Sequence, residues 1–150
     1  MRLHERLFHL FFLLRRPMTL GTRVAAFDAE GRVFLVRHTY VAGWHLPGGG
    51  VDPGETCEAA ARRELAEEGN IDCPQGVHLV SVHFNRRASR RDHVAFYRAD
   101  GVRQTAQRAA DREIAESGFF ALSALPDGVT PATRARLAEL NGAAPSAPYW

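Results

Sequence analysis

Residues 48–71 read Gly48-Gly49-Gly50-Val51-Asp52-Pro53-Gly54-Glu55-Thr56-Cys57-Glu58-Ala59-Ala60-Ala61-Arg62-Arg63-Glu64-Leu65-Ala66-Glu67-Glu68-Gly69-Asn70-Ile71. From Glu55 to Glu68 the stretch is rich in Ala and Glu, holds no Gly or Pro, and has Thr56 as its one β-branched residue. That composition predicts a helix over 55–68 with Thr56 as N-cap. Gly69-Asn70 ends it, since both residues tolerate a left-handed backbone. Glu64, Glu67 and Glu68 stand at i, i+3 and i+4, which puts three carboxylates on one helix face. Such crowding suits a hard divalent cation, because Mg²⁺ takes oxygen ligands and shares them with water and phosphate. Taken alone, an acidic triplet is also what a solvated helix face looks like. The glycine run just upstream adds weight, because consecutive glycines let a backbone approach a ligand closely.

Working outward, residues 20–27 and 33–36 are strand-like and flank the turn Asp28-Ala29-Glu30-Gly31, so they read as a hairpin. Trp44-His45-Leu46 is a short strand running into the glycines. Residues 77–84 and 93–99 read as two more strands, joined by the basic loop that holds Arg86, Arg87, Arg90 and Arg91. Residues 103–112 read as loop and 118–122 as a short strand. Pro131 opens a last helix that runs to about Leu140. Strands around a central helix, with helices at both ends, imply an α/β fold with a mixed central sheet. The chain divides into an amphipathic N-terminal helix over 1–17, a domain over 18–142 and a flexible Pro/Ala tail over 143–150.

The 150 residues carry a formal net charge of +2. That sum excludes a strongly basic nucleic-acid coat and an acidic disordered tail. It also hides a segregation, because residues 52–72 carry −5 and the remainder +7. Every basic residue is arginine, so lysine chemistry is excluded. Cys57 and Cys73 make no disulfide framework and suit a reducing cytoplasm. The apolar run 7–14, flanked by Arg2, Arg6, Arg15 and Arg16, is too short to span a bilayer and lacks a signal-peptide cleavage site. The favoured reading is a helix packed on the domain or on a second subunit, which allows a homodimer. Contact with anionic lipid is the less favoured reading.

The spacing of these residues resembles the box of the Nudix hydrolase family: Gly, five residues, Glu, seven residues, Arg-Glu, an aliphatic, any residue, Glu-Glu, any residue, Gly, an aliphatic. The chain supplies Gly49, Glu55, Arg63-Glu64-Leu65, Glu67-Glu68 and Ile71. It departs only at Asn70, where the pattern has Gly. The approach Trp44-His45-Leu46-Pro47-Gly48-Gly49 is also similar to the family. The resemblance implies a Nudix-like α/β/α sandwich. It also implies Mg²⁺- or Mn²⁺-dependent hydrolysis of a nucleoside diphosphate linked to another moiety. Glu64, Glu67 and Glu68 would be metal ligands, joined by the Gly48 carbonyl, and Glu55 would pair with Arg63 to hold loop and helix in register.

The catalytic set expected on this basis is Arg63, Glu64, Glu67 and Glu68, with Glu113 as a loop base and Glu116 as runner-up. Arg37, Trp44 and Gly49 are candidate substrate contacts, and Asn70 is structural. The Arg86–Arg91 cluster either steers an anionic substrate or caps a solvated hairpin. The stretch from Asn85 to Ala88 lacks both the proline that marks the ADP-ribose subgroup and the tyrosine of the dinucleoside polyphosphate subgroup. Nucleotide sugars, ADP-ribose and nucleoside triphosphates therefore all remain open as the small-molecule partner. Nucleic acid is not an expected partner. A nucleotide-binding sensor and an RNA 5′-end pyrophosphohydrolase are the alternatives.

Overall fold

A computed structural model describes residues 3–150. In chain order the elements are α1 (Leu3–Arg15), β1 (Thr19–Ala26), β2 (Val33–His38), α2 (Cys57–Gly69), β3 (Ile71–Asp72), β4 (His78–Phe84), β5 (Asp92–Ala99), β6 (Arg103–Gln104), β7 (Ile114–Phe120) and α3 (Pro131–Leu140), with a 3₁₀ turn at Leu122–Ala124 before α3.

Strand parity builds the core. Val24, Ala26, Phe34, Val36, Ala95, Tyr97 and Ala99 face one way and pack with Ala61 and Leu65 of α2. Their neighbours Ala25, Phe27, Val33, Leu35 and Phe96 face the other way and pack with Leu137 of α3. Strands buried on both faces need continuous apolar runs, and residues 24–27 and 33–36 supply them. The result is a helix layer on each side of a mixed set of strands.

The strand pairing differs from the expected hairpin. β1 pairs parallel with β5, from Thr19↔Asp92 to Ala26↔Ala99, and β4 pairs antiparallel on β5's other side. β2 pairs antiparallel with β7. Only the bridge Phe27↔Val33 joins the ends of β1 and β2. The turn at 28–31 is real, and Asp28 accepts backbone bonds from Glu30 and Arg32. It reverses the chain without zipping its flanks, because each flank finds a longer partner elsewhere. The last strand is also longer and earlier than 118–122. Residues 103–104 pair with β3 instead of lying free, and Trp44 and His45 form isolated bridges in place of a strand.

Two further expectations are corrected. The tail is docked. Phe84 donates to the Pro148 carbonyl at 2.9 Å, and Trp150 donates back to Phe84 at 3.1 Å. The Trp150 ring lies edge-on to His83 and Phe96, with the Arg136 guanidinium over it. Arg136 is fully buried and donates to His83 Nδ1, to Glu139 and to the Tyr149 carbonyl. Buried charge needs such partners, and the tail supplies one of them. Conversely, α1 packs on no face of the domain: residues 4–16 are exposed apart from half-buried Phe12.

Removal of residues 147–150 strips the Tyr149 carbonyl and the Trp150 ring from Arg136. We expect it to cost about 2–4 kcal/mol, the range of large core truncations, read as a lower urea midpoint. An unchanged midpoint would show that the tail only rests on the domain.

Candidate active site

The site begins with the ends of α2. Thr56 Oγ1 accepts the Ala59 amide at 3.1 Å, an N-cap bond. At the other end Asn70 takes φ 53°, ψ 40°, and its amide reaches the Ala66 carbonyl at 3.0 Å. The left-handed end thus survives the change from Gly to Asn. Gly69 serves a different purpose. It is helical, and a Cβ there would lie 2.7 Å from the Phe34 ring. Glycine at 69 is therefore required by packing.

The glycine segment is stitched to β1. Val24 donates to the Pro47 carbonyl at 2.9 Å, Thr22 to Gly49 at 2.8 Å, and Val51 to Leu20 at 2.9 Å. Gly48 takes φ 145°, and a Cβ on it would sit 2.1 Å from the Thr22 oxygen, so no other residue fits. A Cβ on Gly49 would lie 2.5 Å from Glu64 Oε1. The loop backbone and the acidic helix face are therefore in direct contact. Gly48 donates its amide to Glu68 Oε2 at 2.8 Å.

The three acids grade from buried to open. Glu68 has 6% of its side chain exposed, Glu64 12% and Glu67 60%. Burial pushes the Glu68 carboxyl up to about 7, against the pull of the Gly48 amide. Burial also raises Glu64, with Arg63 opposing it. Arg63 forks onto both oxygens of Glu55 at 2.9 and 3.0 Å, reaches Glu64 at 2.6 Å and Glu67 at 3.3 Å, and donates to the Gly50 carbonyl at 3.0 Å. Those bonds hold Glu55 below the usual carboxylate range and raise Arg63.

Opposite Glu68 stands His38, at the end of β2. Its Nε2 lies 3.4 Å from Glu68 Oε1. Burial, with Arg23 and His45 nearby, lowers its pKa to about 4, so the ring is neutral at pH 7. Between Arg37 and His38 the β2–β7 register slips by one residue. Bulges of this kind re-aim side chains beside sites. Before the slip Glu116 pairs with Arg37 at 2.8 Å. Beyond it His38, Glu68 and Glu113 each bring one ligand atom within 4.8 Å of the others. An imidazole and two carboxylates form a donor set that fits a divalent cation.

The structure thus brings Gly48, Gly49, Glu55, Arg63, Glu64, Glu67 and Glu68 together, and Glu113 joins His38 and Glu68. Arg37 is committed to Glu116. Trp44 packs edge-on to Phe120 at 5.0 Å and against the second core, so it is a scaffold residue. The arginine loop makes its contacts elsewhere, with Arg86 over Tyr149 at 4.5 Å and Arg87 beside α3.

Sequence reasoning missed four residues. His38 and Arg23 were readable as charged or titratable groups in otherwise apolar strands. Arg23 is the cation whose field lowers both Glu64 and Glu68, and it donates to the Leu46 carbonyl at 2.9 Å. Asp111 and Arg108 gave no local signal. Asp111 Oδ1 accepts the Glu113 and Ile114 amides, both at 2.8 Å, and Arg108 bonds Asp111 while donating to the Glu67 carbonyl at 2.9 Å. Together they tie the Glu113 loop to the acidic helix.

A mixed sheet between helix layers, with a glycine loop against an acidic helix, is the arrangement that the comparisons with known proteins match. The family model for the NUDIX domain matches residues 17–140, and the chain belongs to the Nudix hydrolase family. The MutT NUDIX hydrolase of Burkholderia pseudomallei is similar in structure, with a TM-score of 0.67 and 30% identity over 79% of this chain and 95% of that one. An ADP-ribose pyrophosphatase of Streptococcus suis shares the fold, with a TM-score of 0.62 and 24% identity over 88% and 96% of the two chains. An RNA pyrophosphohydrolase of Gluconobacter oxydans is 45% identical over 58 residues, 35% of this chain and 34% of that protein. An 8-oxo-dGDP phosphatase of Mus musculus is 36% identical over 83 residues, 55% of this chain and 25% of its own length. The chain thus spans about a third of the first of these two relatives and a quarter of the second.

Asp111 yields a test of the loop tether. The Ile114 amide, then the Arg108 side chain and the Glu113 amide, lower its pKa from 3.8 to about 2. A depressed carboxylate stabilises the fold fully above its unfolded pKa and loses that contribution as pH falls. The stability gap between the chain and Asp111→Asn should therefore be constant above about pH 5 and close as pH falls towards about 2. Parallel curves would refute the tether.

Proposed function

We propose that the chain is a pyrophosphohydrolase that cleaves the diphosphate linkage of a small nucleotide derivative with the help of Mg²⁺ or Mn²⁺. The observation that carries this reading is the convergence of Glu68 and Glu113 within 4.8 Å, with Glu68 bound to the Gly48 amide and Glu64 against Gly49. Glu64, Glu67, Glu68 and the Gly48 carbonyl would hold the cation. When bound, that cation would screen the diphosphate charge and acidify a water.

The residues divide the remaining work. Arg63 keeps Glu64 and Glu67 oriented and ties them to Glu55 and the Gly50 carbonyl. Arg23 adds positive charge where phosphate oxygens would lie. Glu113, exposed and held by Asp111, would take the water's proton on its carboxylate. His38, neutral and buried, closes the inner side of the site.

A hollow of about 370 Å³ lined by residues 37–43 adjoins His38, within the usual size of small-ligand pockets. Tyr40 is 71% exposed beside it, with its ring 5.2 Å from that of His38. We assign this hollow to the base or sugar of the substrate. Nucleotide sugars, ADP-ribose and nucleoside triphosphates all carry such a moiety.

A second reading has support from the RNA pyrophosphohydrolase named among the relatives: the substrate would be a 5′-triphosphorylated RNA. Salt separates the two. RNA binding should weaken steeply as salt rises from about 50 to 200 mM, because each neutralised phosphate releases counterions, whereas turnover of a mononucleotide should change little.

The direct test is phosphate release from a panel of nucleotide derivatives with Mg²⁺ and Mn²⁺. Glu67→Gln and Glu68→Gln should each lower turnover by roughly 100-fold or more with melting temperatures kept. Near-normal rates in both variants at saturating metal would refute the assignment. No turnover of any compound by the intact chain would favour a nucleotide sensor.

A further inference from the structure

Among the described residues, α1 carries six exposed large apolar side chains along one element. Leu7, Phe8, Leu10, Phe11, Leu13 and Leu14 are all more than half exposed, with Leu14 at 77%. Monomeric domains seldom leave so contiguous a patch in water without a partner.

We propose that α1 docks the chain on an anionic lipid surface. Two observations favour this over a second copy of the helix. First, the apolar residues are spread around the helix. Leu7, Leu10 and Leu14 make one stripe by their spacing of three and four, while Phe8 and Phe12 are turned well away from it. A two-helix seam covers a single stripe and would leave the phenylalanines in water. A lipid interface covers a broad face, while Glu5, Arg6, His9 and Arg16 fall on the far side of the helix, around Leu13.

Second, charge is complementary. Arg2, Arg6, Arg15 and Arg16 oppose Glu5 over residues 2–16. Like charges would face one another across a paired helix, whereas an anionic surface attracts them.

The helix lies on the surface and does not cross it. Its 13 residues span about 20 Å against roughly 30 Å of hydrocarbon, and no described helix is long and apolar enough to cross a membrane.

The test is flotation of the full chain with vesicles of phosphatidylcholine alone or with phosphatidylglycerol at about one lipid in three, a composition that presents the anionic surface invoked. The chain should float with the anionic vesicles and bind the neutral ones at least about tenfold less tightly. Phe11→Ser with Leu14→Ser should abolish flotation. Arg15→Gln with Arg16→Gln should weaken it about 25-fold, at about fivefold per basic residue. Both double variants should keep the melting temperature of the parent chain, since α1 supports no part of the domain. Absence of flotation, equal binding to both vesicles, or undiminished binding by the serine variant would overturn the proposal. So would a dimer in light scattering that the serine variant dissolves while vesicles bind nothing.

Discussion

A single hydrogen bond joins the three parts on which this site rests. The Gly48 amide donates to Glu68 at 2.8 Å, and Glu68 is nearly buried. Gly48 is pressed against β1 at the Thr22 oxygen, where no side chain fits. Glu68 rides on α2, on the same side as Ala61 and Leu65, which fill the first core. Loop, helix and strand are thereby fixed to one another through one carboxylate. A buried carboxylate costs folding free energy unless it is paired. The chain retains that cost where it places an acid for chemistry.

The rest of the site hangs from this joint. Arg63 spreads the constraint along the helix and back to the loop. His38 limits Glu68 from the inner side. The one-residue slip in β2–β7 decides that Glu113 reaches the cluster, while Glu116 is spent on Arg37. The charge segregation in the sequence becomes spatial here. Asp52, Glu55, Glu64 and Glu67 gather around Arg63, and the field of Arg23 on β1 reaches Glu64 and Glu68. Arg86 and Arg87 lie with the tail.

What the sequence made legible follows from what is local. The helix, its Thr56 cap and its Asn70 end depend on neighbours within one turn, so composition and spacing were enough. The acid face follows from helix periodicity, whereas the Glu55–Arg63 pair came with the family resemblance, because Glu55 lies before the helix. Strand pairing is non-local, and it was misread. A turn at 28–31 implied a hairpin, yet β1 takes a partner 73 positions away. The bulge that separates Glu113 from Glu116 leaves no mark in composition. The tail misled because Pro and Ala suggest freedom, while Tyr149 and Trp150 carry the contacts that hold it. Trp44 was a candidate substrate contact in the sequence, and Phe120, far along the chain, packs against its ring.

The parallel pairing of β1 with β5 also bears on how the molecule is made. A ribosome delivers β1, the glycine segment and α2 well before residue 92 emerges. Until then β1 has only the glycine segment on one edge, and its other edge is open. Closing so long a loop is slow compared with forming a helix. The acidic helix can therefore wind early, but the backbone that cradles Glu68 becomes rigid only when β5 arrives. In a nascent chain, competence to hold a cation should appear as a late event, coincident with closure of the sheet. Until that moment the open edge of β1 is where a chaperone, or a neighbouring nascent chain, would find its grip.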